Sequence, residues 1–185
     1  GASLTDADRY PLEVLDTILS GQSGRLFVEL RDRQSLAYSL SSFSQFGIDT
    51  GAFGVYIGTS PEKRDQAIAA LWEQIERVRR EPVAVAELER AKNILITNYE
   101  LGLQTHSAQA LEMALNETYD LGQDFGRRYS EAIGAVTAED VLAVARKYLQ
   151  PEHAVSVLVG AVALEPGTPQ GATAASEPPA PEKQP

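Results

Sequence analysis

The spacing of apolar residues changes from a helical period to a period of two near residue 36, which restricts the chain to a fold that combines helices with sheet. Helical spacing continues as far as Leu30. Beyond it, Leu36–Phe46 and Gly51–Thr59 show the alternation typical of strands, separated by a turn at residues 47–50. This pattern predicts an antiparallel hairpin that the chain enters from a helix.

Helical spacing returns after the hairpin and continues for most of the chain. The strongest helix start is Ser60–Glu62, where a capping hydroxyl, a proline at the first helical position and an acid in the first turn coincide. Thr137 gives a similar signal, because Glu139 and Asp140 follow it. Helices are predicted at about residues 5–20, 24–33, 60–80, 85–101, 107–121, 124–133 and 137–149.

The end of the chain divides into two parts of different composition. His153–Gly160 is rich in β-branched residues and is predicted to return to the sheet as a strand. Residues 165–185 contain six of the ten prolines and no large apolar side chain, which predicts a disordered Pro/Ala-rich tail. The predicted architecture is therefore one α+β domain over residues 1–164, an antiparallel sheet with several helices packed on one face.

Charge and composition exclude several classes of partner. The net charge of −10 and the pI near 4.7 argue against nucleic acid, which selects for clustered Lys and Arg. No apolar run approaches the roughly 20 residues that a membrane-spanning helix needs. The lack of cysteine rules out disulfides and thiolate metal sites, and is compatible with cytoplasm, periplasm and organelle alike.

The most specific motif lies at the junction between the first helices and the hairpin. It consists of Gly21, Gly24–Phe27, Arg31 and Leu36–Tyr38. In this order and spacing it resembles the second-domain signature of the pitrilysin/insulinase family of zinc metallopeptidases, in a bacterial, processing-peptidase-like form. The resemblance extends over about residues 2–160 and includes shorter motifs at residues 5–10, 60–67, 87–92, 136–141 and 155–160.

The resemblance implies where zinc is and is not expected. Peptidases of this family hydrolyse peptide bonds with a zinc-bound water held by an H-x-x-E-H motif. That motif is absent from this sequence, whose two histidines, His106 and His153, are far apart and are interpreted as ordinary surface residues. No metal site is therefore predicted in this chain, which is expected to be inactive alone, and zinc is expected in a companion catalytic domain, either upstream or on a separate subunit.

The resemblance also assigns the candidate site residues. Arg31 and Tyr38 match the family positions that contact substrate near the scissile bond. The predicted function is a non-catalytic, substrate-binding second domain of a zinc metalloendopeptidase that cleaves peptides or unfolded polypeptides. The alternative is a non-enzymatic assembly subunit of the same fold, similar to the core proteins of respiratory complexes. Family domains also open with a strand, expected just before Gly1, so an exposed edge and a homodimer are further expectations.

Simpler interpretations of the same residues remain open at this stage. Arg31 is also explained as a cation near a helix C-terminus, and Tyr38 as a core or cross-strand aromatic residue. Gly21–Gly24 is interpreted as a plain turn, because no Lys-Ser/Thr follows it as in a phosphate loop. Glu87 and Glu89 are interpreted as part of a solvated helix face.

Overall fold

The computed structural model describes residues 1–160, of which residues 1–155 form one compact unit. Residues 156–160 belong to a second unit and have no regular secondary structure. The described elements are α1 (Arg9–Leu19), a π-helix (Phe27–Arg33), β1 (Ser39–Gln45), β2 (Ala52–Gly58), α2 (Arg64–Arg80), α3 (Val85–Gly102), α4 (His106–Thr118), α5 (Phe125–Ala135) and α6 (Ala138–Tyr148), with short 3-10 segments at Pro61–Lys63 and Pro151–His153.

The predicted hairpin is confirmed, with strands slightly shorter than expected. Strands β1 and β2 pair antiparallel in a register that places Ser39 opposite Gly58 and Gln45 opposite Ala52. One face of the hairpin packs on α1, while Phe43 on the other face is 47% exposed. The fold is therefore α+β, as the alternation of periods predicts.

Helix α1 forms the centre of the core. Seven of its eleven residues are buried, and it packs against β1, α3, α5 and α6. The helix begins four residues later than predicted because the side chain of Asp6 accepts a hydrogen bond from the backbone of Asp8 in a preceding turn. Pro11 then falls in the first turn, where the missing N–H costs no helical hydrogen bond.

A buried polar cluster fixes the hairpin to α1. The Asp16 carboxylate accepts hydrogen bonds from the Ser42 hydroxyl at 2.5 Å and from the Ser44 backbone N–H at 3.1 Å. The Ser20 hydroxyl lies 2.8 Å from that of Ser42 and accepts from the Ser42 N–H at 2.6 Å. These bonds set the position of β1 along α1. They therefore also fix the start of β1, which directly follows Tyr38.

The helix start predicted at Thr137 is confirmed, whereas Ser60 makes no cap hydrogen bond and is followed by the 3-10 segment, so that α2 begins only at Arg64. Thr137 caps α6 in a reciprocal arrangement, accepting from the Asp140 N–H at 3.1 Å while the Asp140 carboxylate accepts from the Thr137 N–H at 2.9 Å. In the described part of the chain, no helix has the length and apolar character needed to cross a membrane.

The predicted strand at His153–Gly160 is wrong. The chain forms a 3-10 turn at Pro151–His153, and residues 154–160 pair with no strand in the described structure. Its β-branched composition suits a strand, but strand propensity depends on packing and pairing that local composition does not specify, and β1 and β2 form a two-stranded sheet without this segment. The predicted domain end at residue 164 and the predicted tail 165–185 lie outside the described residues.

The substitution Asp16→Asn is expected to remove a pH-dependent loss of stability. Burial raises the pKa of the Asp16 carboxyl, so the folded state holds its proton more tightly and stability falls as pH rises through that pKa. Asparagine keeps an oxygen for the Ser44 N–H but carries no charge. The free energy of unfolding of the variant, relative to wild type, should therefore increase between about pH 4 and about pH 7 in urea titrations.

Asp49→Asn, in the exposed hairpin loop, is the matched control and should keep the wild-type pH profile. A stability difference between Asp16→Asn and wild type that stays constant with pH would contradict the explanation.

Candidate functional site

The helix that carries Arg31 starts from a tight glycine turn. Gly21 has a φ of 79°, in the left-handed region, and its carbonyl accepts a hydrogen bond from the Gly24 N–H at 3.0 Å. A Cβ on Gly24 would lie 2.1 Å from the Ser20 carbonyl oxygen, so only glycine fits there. The plain turn predicted at these residues is therefore confirmed, and it connects the end of α1 to the helix that carries the site.

This helix is of the π type over Phe27–Arg33, which the sequence does not predict. Arg31 lies near its C-terminal end, as expected for a cation that interacts favourably with the helix dipole. A π-helix is rare and frequently occurs at functional sites.

The turn after the π-helix brings Tyr38 back beside Arg31. Ser35 adopts a left-handed φ of 51°, and the Leu36 N–H donates to the Leu30 carbonyl at 2.7 Å. Leu36 is then buried in the core at 2% exposure, and the Tyr38 N–H donates to the Gly58 carbonyl at 3.2 Å. The chain is thus anchored on both sides of the turn.

Two side chains that follow β2 hold this turn from the opposite side. The Thr59 hydroxyl donates to the Leu36 carbonyl at 2.6 Å. The Lys63 ammonium donates to the Ser35 carbonyl at 2.8 Å. The conformation between Arg31 and Tyr38 is therefore fixed by hydrogen bonds as well as by burial of Leu36.

The two predicted site residues are brought together in space. The Cζ atom of Arg31 lies 4.6 Å from the centroid of the Phe27 ring and 5.2 Å from that of the Tyr38 ring. These cation–π contacts orient the guanidinium without using its N–H donors. Within residues 1–160, neither the guanidinium nor the Tyr38 hydroxyl has a hydrogen-bond partner, so both are available to a ligand.

The exposure of Tyr38 excludes its interpretation as a core aromatic residue. Its side chain is 83% exposed, whereas Leu36, two residues earlier, is buried. The rule that residues two apart on a strand share one face does not apply to Leu36 and Tyr38, because β1 begins only at Ser39. Tyr38 and Arg31 line an open pocket of about 590 Å³ together with Ser35, Leu36, Ala37, Ser39, Gly58, Thr59, Ser60 and Lys63.

An ion pair secures the start of the helix that carries Arg31. Arg25 donates to both carboxylate oxygens of Glu87 at 2.9 and 2.7 Å, and both side chains are largely buried. The hydrogen bond from Arg25 lowers the pKa of Glu87. The interpretation of Glu87 as part of a solvated face is therefore wrong, because its partner lies 62 positions away along the chain. Glu89, by contrast, is 56% exposed.

The described residues do not fit a zinc ion. No group of three or more His, Cys, Asp or Glu side chains among residues 1–160 is arranged to hold a metal. His106 opens α4 and His153 lies in the 3-10 turn after α6, and both are exposed. The site is thus a set of hydrogen-bond donors without a metal ligand set.

Three contributors to the site escaped prediction. Phe27 and Arg25 belong to the motif at Gly24–Phe27, and Lys63 to the motif at residues 60–67, but no role in the site is assigned to them there. Arg25 has no local signal, because nothing in its surrounding sequence identifies Glu87 as its partner. The helical register from Phe27 to Arg31, four residues apart, is the one signal that predicts a contact between these two side chains.

Comparison with known sequences identifies the family. The family described as the peptidase M16 inactive domain matches residues 1–95. An uncharacterized zinc protease from Streptomyces coelicolor is 32% identical over 159 residues, which are 85% of this chain and 35% of the relative. One from Mycobacterium tuberculosis is 33% identical over 156 residues, 81% of this chain and 34% of the relative. The chain therefore spans about a third of the length of these relatives.

Solved structures share the fold. A peptidase M16 inactive domain from Pseudomonas fluorescens superposes with a TM-score of 0.74 at 20% identity, over 81% of this chain and 36% of that one. A chain of complex III2 from Candida albicans superposes with a TM-score of 0.69 at 20% identity, over 80% of this chain and 37% of that one. At these identities the likeness concerns the fold alone.

The substitution Glu87→Gln is expected to destabilise the chain by about 1–2 kcal/mol near neutral pH, since it removes the charge from a partly buried, bidentate pair. Because the pKa of Glu87 is lowered on folding, its contribution is present above the unfolded value of 4.5 and is lost as pH falls through the folded value. The difference from wild type should accordingly shrink below about pH 4 in urea titrations.

Glu73→Gln, at an exposed position of α2, is the control and should leave stability nearly unchanged. Equal stabilities of Glu87→Gln and wild type at neutral pH would refute an anchoring role for the pair.

Proposed function

This chain belongs to the family of peptidase M16 inactive domains, and we propose that it binds peptide substrate on behalf of a zinc-containing catalytic domain. The resemblance to the pitrilysin/insulinase family is thereby confirmed. The specific role of Arg31 and Tyr38 is our proposal. It is supported by one observation above all: two hydrogen-bond donors that have no partner among residues 1–160 are held side by side at an open pocket.

The chemistry of these two groups suits a peptide carbonyl. A phenol and a guanidinium can both donate hydrogen bonds to a carbonyl oxygen, which accepts them. Donors held in place before the substrate arrives stabilise the negative charge that develops on this oxygen during hydrolysis, by roughly 2.7–4 kcal/mol each in known sites. The hydrogen-bonded turn at Ser35 and Leu36 supplies that fixed position.

The proposed partner is a catalytic domain that provides the metal. The relatives from Streptomyces coelicolor and Mycobacterium tuberculosis carry the name zinc protease, and the chain spans about a third of their length. The domain described here does not fit zinc within residues 1–160, so we place the metal in the companion domain. That domain is either part of the same longer protein or a separate subunit.

Substitution of the two donors should lower turnover without affecting the fold. With the catalytic domain present, Tyr38→Phe and Arg31→Ala should each reduce kcat for a peptide substrate by roughly 100-fold, as for other fixed donors to a developing oxyanion. Far-ultraviolet circular dichroism should remain as in wild type, since both groups lack hydrogen-bond partners in the described structure.

The controls are Tyr56→Phe, which removes an exposed hydroxyl from β2, and Arg80→Ala at the end of α2. Both should retain wild-type turnover, and the chain without a catalytic domain should hydrolyse no peptide. Wild-type turnover in both Tyr38→Phe and Arg31→Ala would refute substrate contact and favour the role of an assembly subunit.

We further propose that the isolated chain self-associates through α4. Leu111 and Leu115 lie one turn apart on this helix and are 61% and 42% exposed. Residues 93–126 contain acids but no Lys or Arg, so two copies should repel each other at low salt. Sedimentation equilibrium should show association that strengthens with salt and weakens in Leu111→Gln/Leu115→Gln.

Val85→Gln, which replaces an even more exposed apolar residue at the start of α3, is the control and should associate as wild type. A wild-type chain that remains monomeric at all salt concentrations would contradict the proposal.

A further inference from the structure

We propose that the pocket beside Arg31 and Tyr38 prefers peptides that present a carboxylate, an inference that rests on the proposed function and deepens it. Two of the ten residues that line the pocket, Arg31 and Lys63, are cationic, and none is acidic. The remaining polar groups are hydroxyls or backbone. The chain as a whole has a net charge of −10, so the positive charge of this pocket is opposite in sign to that of the chain.

The state of the Arg31 guanidinium supports an anionic ligand. Most arginines of the described structure have a carboxylate partner within 4 Å, namely Arg9, Arg25, Arg33, Arg64, Arg79, Arg80, Arg127 and Arg128. Arg31 has none within residues 1–160, although Glu29 and Asp32 are close in sequence. Glu29 instead pairs with Arg33 at 2.6 Å.

The contacts that Arg31 does make leave its hydrogen-bonding edge available. Phe27 and Tyr38 interact with the guanidinium through their ring faces, which involves none of its N–H groups. The planar fork of N–H donors matches the two oxygens of a carboxylate, and such bidentate pairs are shorter and stronger than bonds to a neutral oxygen. A peptide carbonyl fills only part of that fork.

Lys63 adds a second positive charge at a fixed place. One of its ammonium N–H groups donates to the Ser35 carbonyl at 2.8 Å, which holds the side chain over the pocket rim and leaves further donors. Because an ion pair at contact distance depends less on salt than the field of distant acids, the preference should persist at moderate ionic strength. The carboxylate is supplied either by an acidic side chain or by the free C-terminus of a peptide.

The test uses the 185-residue chain labelled with 15N, titrated at about 0.1 M salt, where the Debye length of about 10 Å screens the distant acids. The probes are short blocked alanine peptides with a central Glu, Gln or Lys, and the Gln peptide with an unblocked C-terminus. The readout is the chemical shift of backbone amides at residues 35–39 and 58–63.

The Glu peptide should shift these amides with a Kd roughly 3- to 10-fold lower than the Gln peptide, as expected for one charge-assisted pair in an open pocket. The Lys peptide should bind most weakly. Lys63→Gln keeps a donor for Ser35 and should reduce the Glu-over-Gln ratio towards one, whereas Arg80→Gln, remote from the pocket, should preserve it. A tighter Kd for the peptide with the free C-terminus than for the Glu peptide would identify the terminus as the source of the carboxylate.

Two results would overturn the proposal in distinguishable ways. Equal Kd values for the Glu, Gln and Lys peptides at these amides would refute the carboxylate preference and leave the proposed function intact. The absence of any shift at these amides with every peptide, up to about 10 mM, where even millimolar binding would be visible, would contradict both.

Discussion

Leu36 enters the core directly after a residue with a left-handed backbone, and the geometry of the whole site depends on this turn. The turn reverses the chain between the π-helix and β1, so two residues that are seven positions apart meet at one pocket. It is held by the burial of Leu36 and by hydrogen bonds from Thr59 and Lys63. This rigid turn therefore positions two donors that have no hydrogen-bond partner among residues 1–160.

The rigidity of the turn is supported from both sides of the hairpin. On one side, the pair between Arg25 and Glu87 ties the start of the helix to α3. On the other, the buried Asp16 and Ser42 cluster ties β1 to α1. Helix α1 is the most buried helix of the core, and buried core helices are among the least mobile parts of a protein. The elements that carry the pocket are therefore attached to a rigid part of the fold.

The sequence predicts the elements well where the signals are local. The change of period gives the hairpin, the Ser60–Pro61 start gives the 3-10 and α2 segment, and Thr137 with Asp140 gives the start of α6. It fails where the outcome depends on distant partners. His153–Gly160 has strand composition, yet residues 154–160 do not join the sheet in the described structure, and Glu87 pairs with a residue far away in sequence. The family motif assigns Arg31 and Tyr38 to one site, but their contact, and the approach of Phe27 and Lys63, depend on a π-helix and a turn that local propensity does not encode.

The central claim is that Arg31 and Tyr38 hold the substrate at the bond to be cleaved, and it is tested most directly by a structure. The longer protein, with its catalytic domain inactivated at the general base, would be determined with zinc and an uncleaved peptide bound. We predict that the Tyr38 Oη and a guanidinium nitrogen of Arg31 lie about 2.7–3.2 Å from a peptide oxygen next to the scissile bond. A peptide bound at the metal while both side chains remain in contact with water alone would contradict the claim.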